Sequence, residues 1–167
     1  VNEAANYNSV GRAFFTLRTD GPSPQNLPAW AVFDQQFRER YVVGTTMPED
    51  PDPGYLLRAD TLEELAQKAG IDARGLADEV ARWNGFVAAG RDADFGKGES
   101  SFDRYQGDWQ APHRNLGTVE KHPFYALPLL PGALGTKGGP RTDTNARVVN
   151  VRGLPIPGLY GAGNVAA

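Results

Sequence analysis

The feature that most constrains the fold of this chain is a glycine-rich stretch that runs from His122 to the last residue. It contains the segment GALGTKGG (Gly132–Gly139) and ends in the pattern GAGN (Gly161–Asn164), which follows an apolar strand. Glycine at a strand end lets backbone N–H groups approach a large polar ligand closely, as in nucleotide cofactor sites. The glycine density of the first segment exceeds what one hairpin requires, although each of these glycines could also serve a plain turn. The stretch therefore predicts a strand-rich region whose backbone contacts a bound ligand.

Charge and composition exclude several classes of partner. The 167 residues carry a formal net charge of −3, so no basic field attracts nucleic acid or an anionic membrane. Cysteine is absent and histidine occurs twice, which argues against disulfides, thiolate catalysis and a metal site. The sequence has no apolar run long enough to cross a bilayer and no signal-peptide pattern at its start. We expect a cytoplasmic protein with a small-molecule partner.

The first half of the chain predicts one buried strand and a helical hairpin. Trp30–Phe33 is a short apolar run, and Asp34 after it can cap a helix through Gln35–Tyr41. The proline-rich residues 48–54 predict a loop. Thr61 with Glu64 forms a capping-box pattern that starts a helix ending at Gly70, and a second helix runs from Asp72 to Gly90. The apolar positions of the two helices are Leu62, Leu65, Ala66 and Ala69, then Leu76, Val80, Trp83, Phe86 and Val87. These stripes are typical of a packed core.

The second half begins with an aperiodic stretch and ends in short strands. Residues 91–120 show no hydrophobic period and predict a long ordered loop, either a lid or subunit contact that would allow a homo-oligomer, or a solvated excursion. The predicted strands are Phe124–Leu130, Ala146–Val151 and a buried strand Leu159–Ala162, with a turn at Arg152-Gly153.

Five ordered motifs give the chain a family resemblance. They are VNEAANY, PAWAVFDQQF, TLEELAQKAGID with VARWNGFVAAGRDADFGKG, PFYALPLLPGALGTKGG and IPGLYGAGNVAA. This set resembles the C-terminal portion of FAD-dependent dehydrogenases of the fumarate reductase and 3-ketosteroid dehydrogenase superfamily. The resemblance implies an α+β fold in which residues 1–120 form a cap or substrate domain and residues 121–167 form the C-terminal part of a Rossmann-like FAD-binding domain. No G-x-G-x-x-G pattern follows a strand near the start, so we expect a piece of a longer protein that alone does not hold FAD tightly.

The resemblance to the ketosteroid branch implies the catalytic residues. Tyr7 matches the tyrosine that takes a proton from the substrate, and Tyr125 matches a tyrosine that polarises the ketone together with a backbone N–H. A tyrosine of ordinary pKa is a poor base at neutral pH, so Tyr7 would need a polarising neighbour. Each tyrosine could instead be an ordinary, partly buried aromatic residue. The fumarate reductase pattern places an arginine and a histidine where this chain has Tyr7 and the Gly135-Thr136 region, which disfavours a dicarboxylate substrate.

The same resemblance implies the residues that contact FAD. They are Gly135, Thr136, Lys137, Gly138, Gly139, Gly161, Gly163 and Asn164, with Gly132 expected to bind substrate. Lys137 would place positive charge near the pyrimidine side of the flavin. The expected reaction removes hydrogen from the carbon–carbon bond beside a ketone of a small apolar substrate such as a 3-ketosteroid. The alternatives are a fumarate reductase-like flavoprotein acting on another unsaturated acid or ketone, and an isolated cap fragment without activity.

Overall fold

The structure of the protein is a computed structural model that describes residues 7–132, 135 and 138–166, with the backbone alone for residues 7–9. The chain divides into two compact units, Val1–Leu130 and Pro131–Ala167. Both helices and antiparallel sheets are present, which confirms the predicted α+β class. The first compact unit extends through Leu130, because residues 124–129 pair with its strands. The assignment of the two parts to a cap and an FAD-binding domain stays a prediction.

The described residues of the first unit form five helices and three strands. In chain order they are α1 (Tyr7–Phe14), β1 (Ala29–Asp34), α2 (Gln35–Arg40), β2 (Leu57–Ala59), α3 (Leu62–Ala69), α4 (Ala73–Ala89), α5 (Ser101–Gln106) and β3 (Phe124–Leu129). The predicted strand at Trp30–Phe33, the loop at 48–54 and both helices of the hairpin are confirmed. The sequence pattern missed α1 and β2, which are short and carry no cap or alternation that distinguishes them from loops.

A three-stranded antiparallel sheet forms the centre of the first unit, with β3 between β1 and β2. Successive side chains of a strand point to opposite faces, so neighbours in β3 enter different cores. Tyr125 packs with Phe33, Val43 and Leu56 on one face. Ala126 packs with Ala59 and the fully buried Leu65 of α3 on the other. The helical hairpin thus covers one face of the sheet through α3.

The two hairpin helices begin and end at the capping residues that the sequence predicts. The Thr61 hydroxyl accepts the Glu64 N–H at 3.1 Å, and Asp72 accepts the N–H groups of Arg74 and Gly75. Gly70 and Gly90 end their helices in the left-handed conformation, with φ of 67° and 69°. An L-residue pays a steric cost in that conformation, which is why glycine stands at both ends.

Residues 117–121 form a strap that ties the hairpin to the sheet. Asn84 in α4 exchanges two hydrogen bonds with the backbone of Val119, at 2.8 and 2.9 Å. Trp83 donates its indole N–H to the Gly117 carbonyl at 2.8 Å. At the other end of the strap, the buried Asp34 carboxylate accepts the N–H groups of Glu120 and Lys121, both at 2.9 Å. Side chains of two separate elements therefore hold one irregular segment in place.

The stretch before the strap is ordered in part by the buried carboxylate of Asp92 rather than by a hydrophobic period. The Asp92 carboxylate is 4% exposed and accepts the N–H groups of Asp94, Phe95 and Lys97. Burial raises the pKa of Asp92, but these backbone donors outweigh it and leave the pKa below its ordinary value. The prediction of a loop throughout 91–120 is wrong at α5, whose six residues include none that is buried. A helix without a buried stripe gives no periodic signal.

The second unit contains a hairpin of β4 (Arg147–Val149) and β5 (Pro155–Tyr160), followed by a short 3-10 turn at Gly163–Val165. The predicted turn at Arg152-Gly153 is confirmed, since Gly153 has a φ of 79° and donates its N–H to Asn150. The prediction of a buried strand at Leu159–Ala162 is wrong in both position and burial, because β5 starts at Pro155 and all six of its residues are exposed. Proline is tolerated there because an edge strand leaves alternate N–H positions unpaired.

Candidate functional site

Tyr7, the predicted proton acceptor, is the first residue of α1. The structure fixes this short helix from its C-terminal end, where Asn26 donates its side-chain amide to the Ala13 carbonyl at 2.8 Å. The following segment turns back on itself, since the Gln25 N–H donates to the Thr16 carbonyl at 2.7 Å. The C-terminal end of α1 is thus held by the loop that leads into β1.

Tyr125, the predicted ketone polariser, lies at the centre of the first core. It is 3% exposed, and its ring stacks on Phe33 with centroids 5.4 Å apart. Its hydroxyl donates to the Gln35 side-chain carbonyl at 2.6 Å. Burial raises the pKa of Tyr125, and the negative charge of Asp52 adds to that shift. The hydroxyl therefore stays protonated near neutral pH with Gln35 as its acceptor, and the polarising role stays a prediction.

Replacing Tyr125 by phenylalanine distinguishes a structural role of its hydroxyl, the hydrogen bond to Gln35, from the predicted role of polarising the ketone. We expect Tyr125→Phe to lower the free energy of unfolding by about 1 kcal/mol, because one internal hydrogen bond is lost while the stack on Phe33 remains. Thermal unfolding measures this change in stability. The matched control is Tyr55→Phe, because Tyr55 is a half-exposed tyrosine. A turnover decrease of about a hundredfold or more, with steroid binding intact, would instead show that the hydroxyl polarises the substrate.

A shallow depression beside Tyr125 is lined by Arg38 and Arg58, and Arg38 is already paired. Arg38, which is 4% exposed, donates to the Asp52 carboxylate at 2.9 Å and to the carbonyls of Met47 and Asp50. A guanidinium with these three internal acceptors holds the proline-rich loop in place. Arg38 therefore acts as a structural cation and does not present a fork to a substrate carboxylate.

Two of the predicted cofactor segments come together in the second unit. The Gly138 N–H donates to the Asn164 carbonyl at 2.9 Å. Gly139 lies against Val165, the residue that follows Asn164, and a Cβ added to Gly139 would overlap the Val165 carbonyl oxygen. Gly163, with a φ of 74°, opens the turn that carries Asn164. The structure thus joins the GALGTKGG and GAGN segments through their backbones.

The remaining predicted site residues are less closely connected. Gly161 donates its N–H to Ala146 at 2.9 Å and so lies against the β4–β5 hairpin. A Cβ on Gly132 or Gly135 would meet no described atom. Thr136 and Lys137 lie outside the described residues. Within the described part of the chain no group of three metal-ligating side chains occurs, and no helix there is long and apolar enough to cross a membrane.

The chemistry of the joined segment fits a flavin cofactor. Asn164 is exposed, and its carboxamide makes no hydrogen bond with any residue that the structure describes. A carboxamide offers both donors and an acceptor, which suits the hydroxyls and ring carbonyls of FAD. Glycine on both sides of the contact allows the close backbone approach that such a ligand needs.

Two positioning residues escaped the sequence analysis. Gln35 meets Tyr125 only because β1 and β3 pair, and Val165 meets Gly139 only through the fold of the second unit. No local pattern marks either residue. The capping position of Asp34 was visible, whereas its bonds to the strap were not.

The chain resembles a group of flavin-dependent dehydrogenases. The "FAD binding domain" family model matches residues 1–167. A 3-oxosteroid 1-dehydrogenase of Mycolicibacterium smegmatis is 46% identical over 88% of this chain and 27% of its own length. A 4-oxocyclohexanecarboxylate 2-dehydrogenase of Sinomonas cyclohexanicum is 43% identical over 98% of this chain and 29% of its own length.

Solved structures give the same result. The 3-ketosteroid Δ1-dehydrogenase of Sterolibacterium denitrificans, in complex with 1,4-androstadiene-3,17-dione, matches with a TM-score of 0.81 and 40% identity, over 99% of this chain and 31% of its own. A flavocytochrome c3 fumarate reductase matches with a TM-score of 0.60 and 26% identity, over 97% of this chain and 24% of its own.

The chain thus spans between a quarter and a third of the length of the relatives it matches most fully. The comparisons confirm the superfamily and the ketosteroid branch that the motifs predict, and they confirm FAD as the cofactor of the family. Because the family model matches the chain from residue 1 to residue 167, the chain belongs to the FAD binding domain family.

Proposed function

We propose that the protein containing this chain is an FAD-dependent dehydrogenase that removes hydrogen from the carbon–carbon bond beside a ketone, with a 3-ketosteroid as substrate. The observation that carries this proposal is the match to the S. denitrificans dehydrogenase, which extends over 99% of the chain at a TM-score of 0.81. The structure compared there holds a steroid dione. Similarity at 40% identity across both units supports the same substrate class.

In this proposal one residue of the chain accepts a proton from the substrate and another polarises the substrate ketone. When bound, FAD supplies the acceptor for the hydride that leaves one carbon. The Tyr7 oxygen takes the proton from the neighbouring carbon while its own hydroxyl proton passes to a polarising neighbour, and the two electrons of that carbon–hydrogen bond form the new carbon–carbon double bond. A donor at the ketone oxygen, the role predicted for Tyr125, would stabilise the charge that develops there. Gly132 is the backbone position proposed to contact the substrate.

The pairing of Arg38 favours an uncharged substrate over a dicarboxylate. Recognition of a carboxylate usually depends on a guanidinium that presents two parallel donors. The buried Arg38 donates its N–H groups to Asp52 and to two backbone carbonyls, and so does not offer such a pair. Tyr7 and Gly135 stand where the fumarate reductase pattern places charged or imidazole groups.

A substrate panel tests the proposal. In the full-length, flavin-loaded protein, we expect an artificial electron acceptor to be reduced when a 3-oxosteroid saturated at the neighbouring bond is added, with a product lighter by two hydrogen atoms. Fumarate with a reduced dye and 4-oxocyclohexanecarboxylate with the same acceptor are the competing arms. Turnover with either competitor at a kcat/KM above that of the steroid would contradict the ketosteroid assignment.

A further inference from the structure

We infer that Gly139 is a positioning residue, and that its contact with the 164–165 backbone orients the Asn164 carboxamide toward the cofactor. We call the backbone contact between residues 138–139 and 164–165 the clamp. The inference rests on the proposed function, since it assumes that FAD binds at the joined glycine segments. It differs from direct cofactor contact because it assigns Gly139 a role that operates through Asn164.

The clamp has one hydrogen bond and one contact that excludes a side chain. The Gly138 N–H donates to the Asn164 carbonyl at 2.9 Å, so that N–H is committed inside the protein and is not offered to a ligand. Beside it, the Gly139 Cα faces the Val165 carbonyl, and any Cβ there would overlap the carbonyl oxygen. Backbone atoms cannot swing away as a flexible side chain can.

The two glycines are needed for different reasons. Gly138 has a φ of 96°, a conformation that L-residues rarely adopt. Gly139 has no positive φ, so its backbone conformation would accept alanine. Space alone therefore requires glycine at position 139, which makes Gly139→Ala a specific probe of the clamp.

The clamp fixes the backbone of Asn164 on both sides. Its carbonyl is held by Gly138, and the Ala166 N–H closes the turn on the Gly163 carbonyl at 3.1 Å. The carboxamide of Asn164 remains exposed, with no partner among the described residues. Because the backbone of Asn164 is already held, binding a ligand restricts only its side-chain torsions, which lowers the entropy lost on binding.

The test is a double-mutant cycle on FAD affinity in the full-length protein. We expect Asn164→Ala and Gly139→Ala each to weaken FAD binding about tenfold, measured by the change in flavin fluorescence on titration. If Gly139 works through Asn164, the double variant binds FAD no more weakly than Asn164→Ala alone. Gly54→Ala is the matched control, because Gly54 is exposed, a Cβ there meets no described atom and its φ is not positive.

A second readout follows the clamp without any flavin. Hydrogen exchange with single-residue resolution should show the Gly138 amide protected in the flavin-free protein, and still protected in Asn164→Ala, because the bond uses the backbone carbonyl. This measurement decides the matter where Gly139→Ala does not fold. An unprotected Gly138 amide, unchanged FAD affinity in Asn164→Ala, or additive effects in the cycle would each overturn the inference.

Failure of the inference and failure of the proposed function give different results. A protein that binds FAD and yet turns over no 3-oxosteroid contradicts the proposed substrate class and leaves the cycle readable. A protein that dehydrogenates the steroid with FAD affinity insensitive to Gly139→Ala keeps the proposed function and overturns the positioning role.

Discussion

Replacing Tyr7 by phenylalanine is expected to lower the turnover of a 3-oxosteroid by about a hundredfold to ten-thousandfold in the flavin-loaded protein, because the proposed proton acceptor is removed. Phenylalanine keeps the ring and loses only the hydroxyl. The variant should retain the flavin absorbance bands and bind steroid with nearly unchanged affinity, so that kcat falls while KM does not. Stopped-flow measurement of flavin bleaching by substrate isolates the step in which hydrogen leaves.

The control for this prediction is a tyrosine that takes no part in the site. Tyr105 in α5 is 71% exposed, and Tyr105→Phe should leave flavin bleaching unchanged. The pH profile gives a second check, since a group with an ordinary tyrosine pKa acts as a base only when its proton is drawn off by a neighbour. Flavin bleaching in Tyr7→Phe at the rate of the unmodified protein would show that another group takes the proton.

The sequence predicts those features that depend on residues close together along the chain. Thr61, Gly70, Asp72 and Gly90 mark helix ends through bonds to residues no more than five positions away, and all four are at the predicted places. Short elements such as β2 depend on pairing with β3, whose residues lie far along the chain. The exposed strand β5 was predicted as buried because apolar residues do not reveal which surface covers them.

The candidate site shows the same limit. The motifs singled out the glycine segments and Asn164, because glycine density is visible in the sequence. That Gly138 and Asn164 bond to each other, and that Gly139 is excluded from bearing a side chain, are tertiary facts. Tyr125 was visible as a tyrosine in an apolar strand, but its acceptor Gln35 lies ninety positions away. Contacts across such separations have no local signature.

Replacing Asp34 by asparagine is expected to lower the free energy of unfolding of the first unit by about 2 to 4 kcal/mol near neutral pH. The carboxylate is 1% exposed. One of its oxygens accepts the Phe37 N–H, and the other accepts the Gln36 side chain and the N–H groups of Glu120 and Lys121. Asparagine has a single acceptor oxygen, so in either orientation its amino group faces at least one of these donors.

The acid dependence of stability should change together with its magnitude. Burial raises the pKa of Asp34, but the bond from Gln36 and those from the backbone of Lys121, Glu120 and Phe37 outweigh it, so the pKa lies below its ordinary value. A carboxyl with a lowered folded-state pKa contributes stability that is complete above its unfolded pKa of about 3.9 and is lost as pH falls through the folded value. Asp34→Asn should therefore flatten the fall in thermal unfolding midpoint at acid pH, while lowering that midpoint near neutrality.

Asp72→Asn is the matched control for the Asp34 prediction. Both residues cap a helix, but Asp72 is exposed and serves only the N–H groups of Arg74 and Gly75. Asparagine caps helices about as well as aspartate, so the expected change is less than about 0.5 kcal/mol. Hydrogen exchange of the β1–β3 ladder amides reports on the same unit and should accelerate only in Asp34→Asn. Equal, small effects of the two substitutions would mean that the strap at residues 117–121 is held by Asn84 and Trp83 without Asp34.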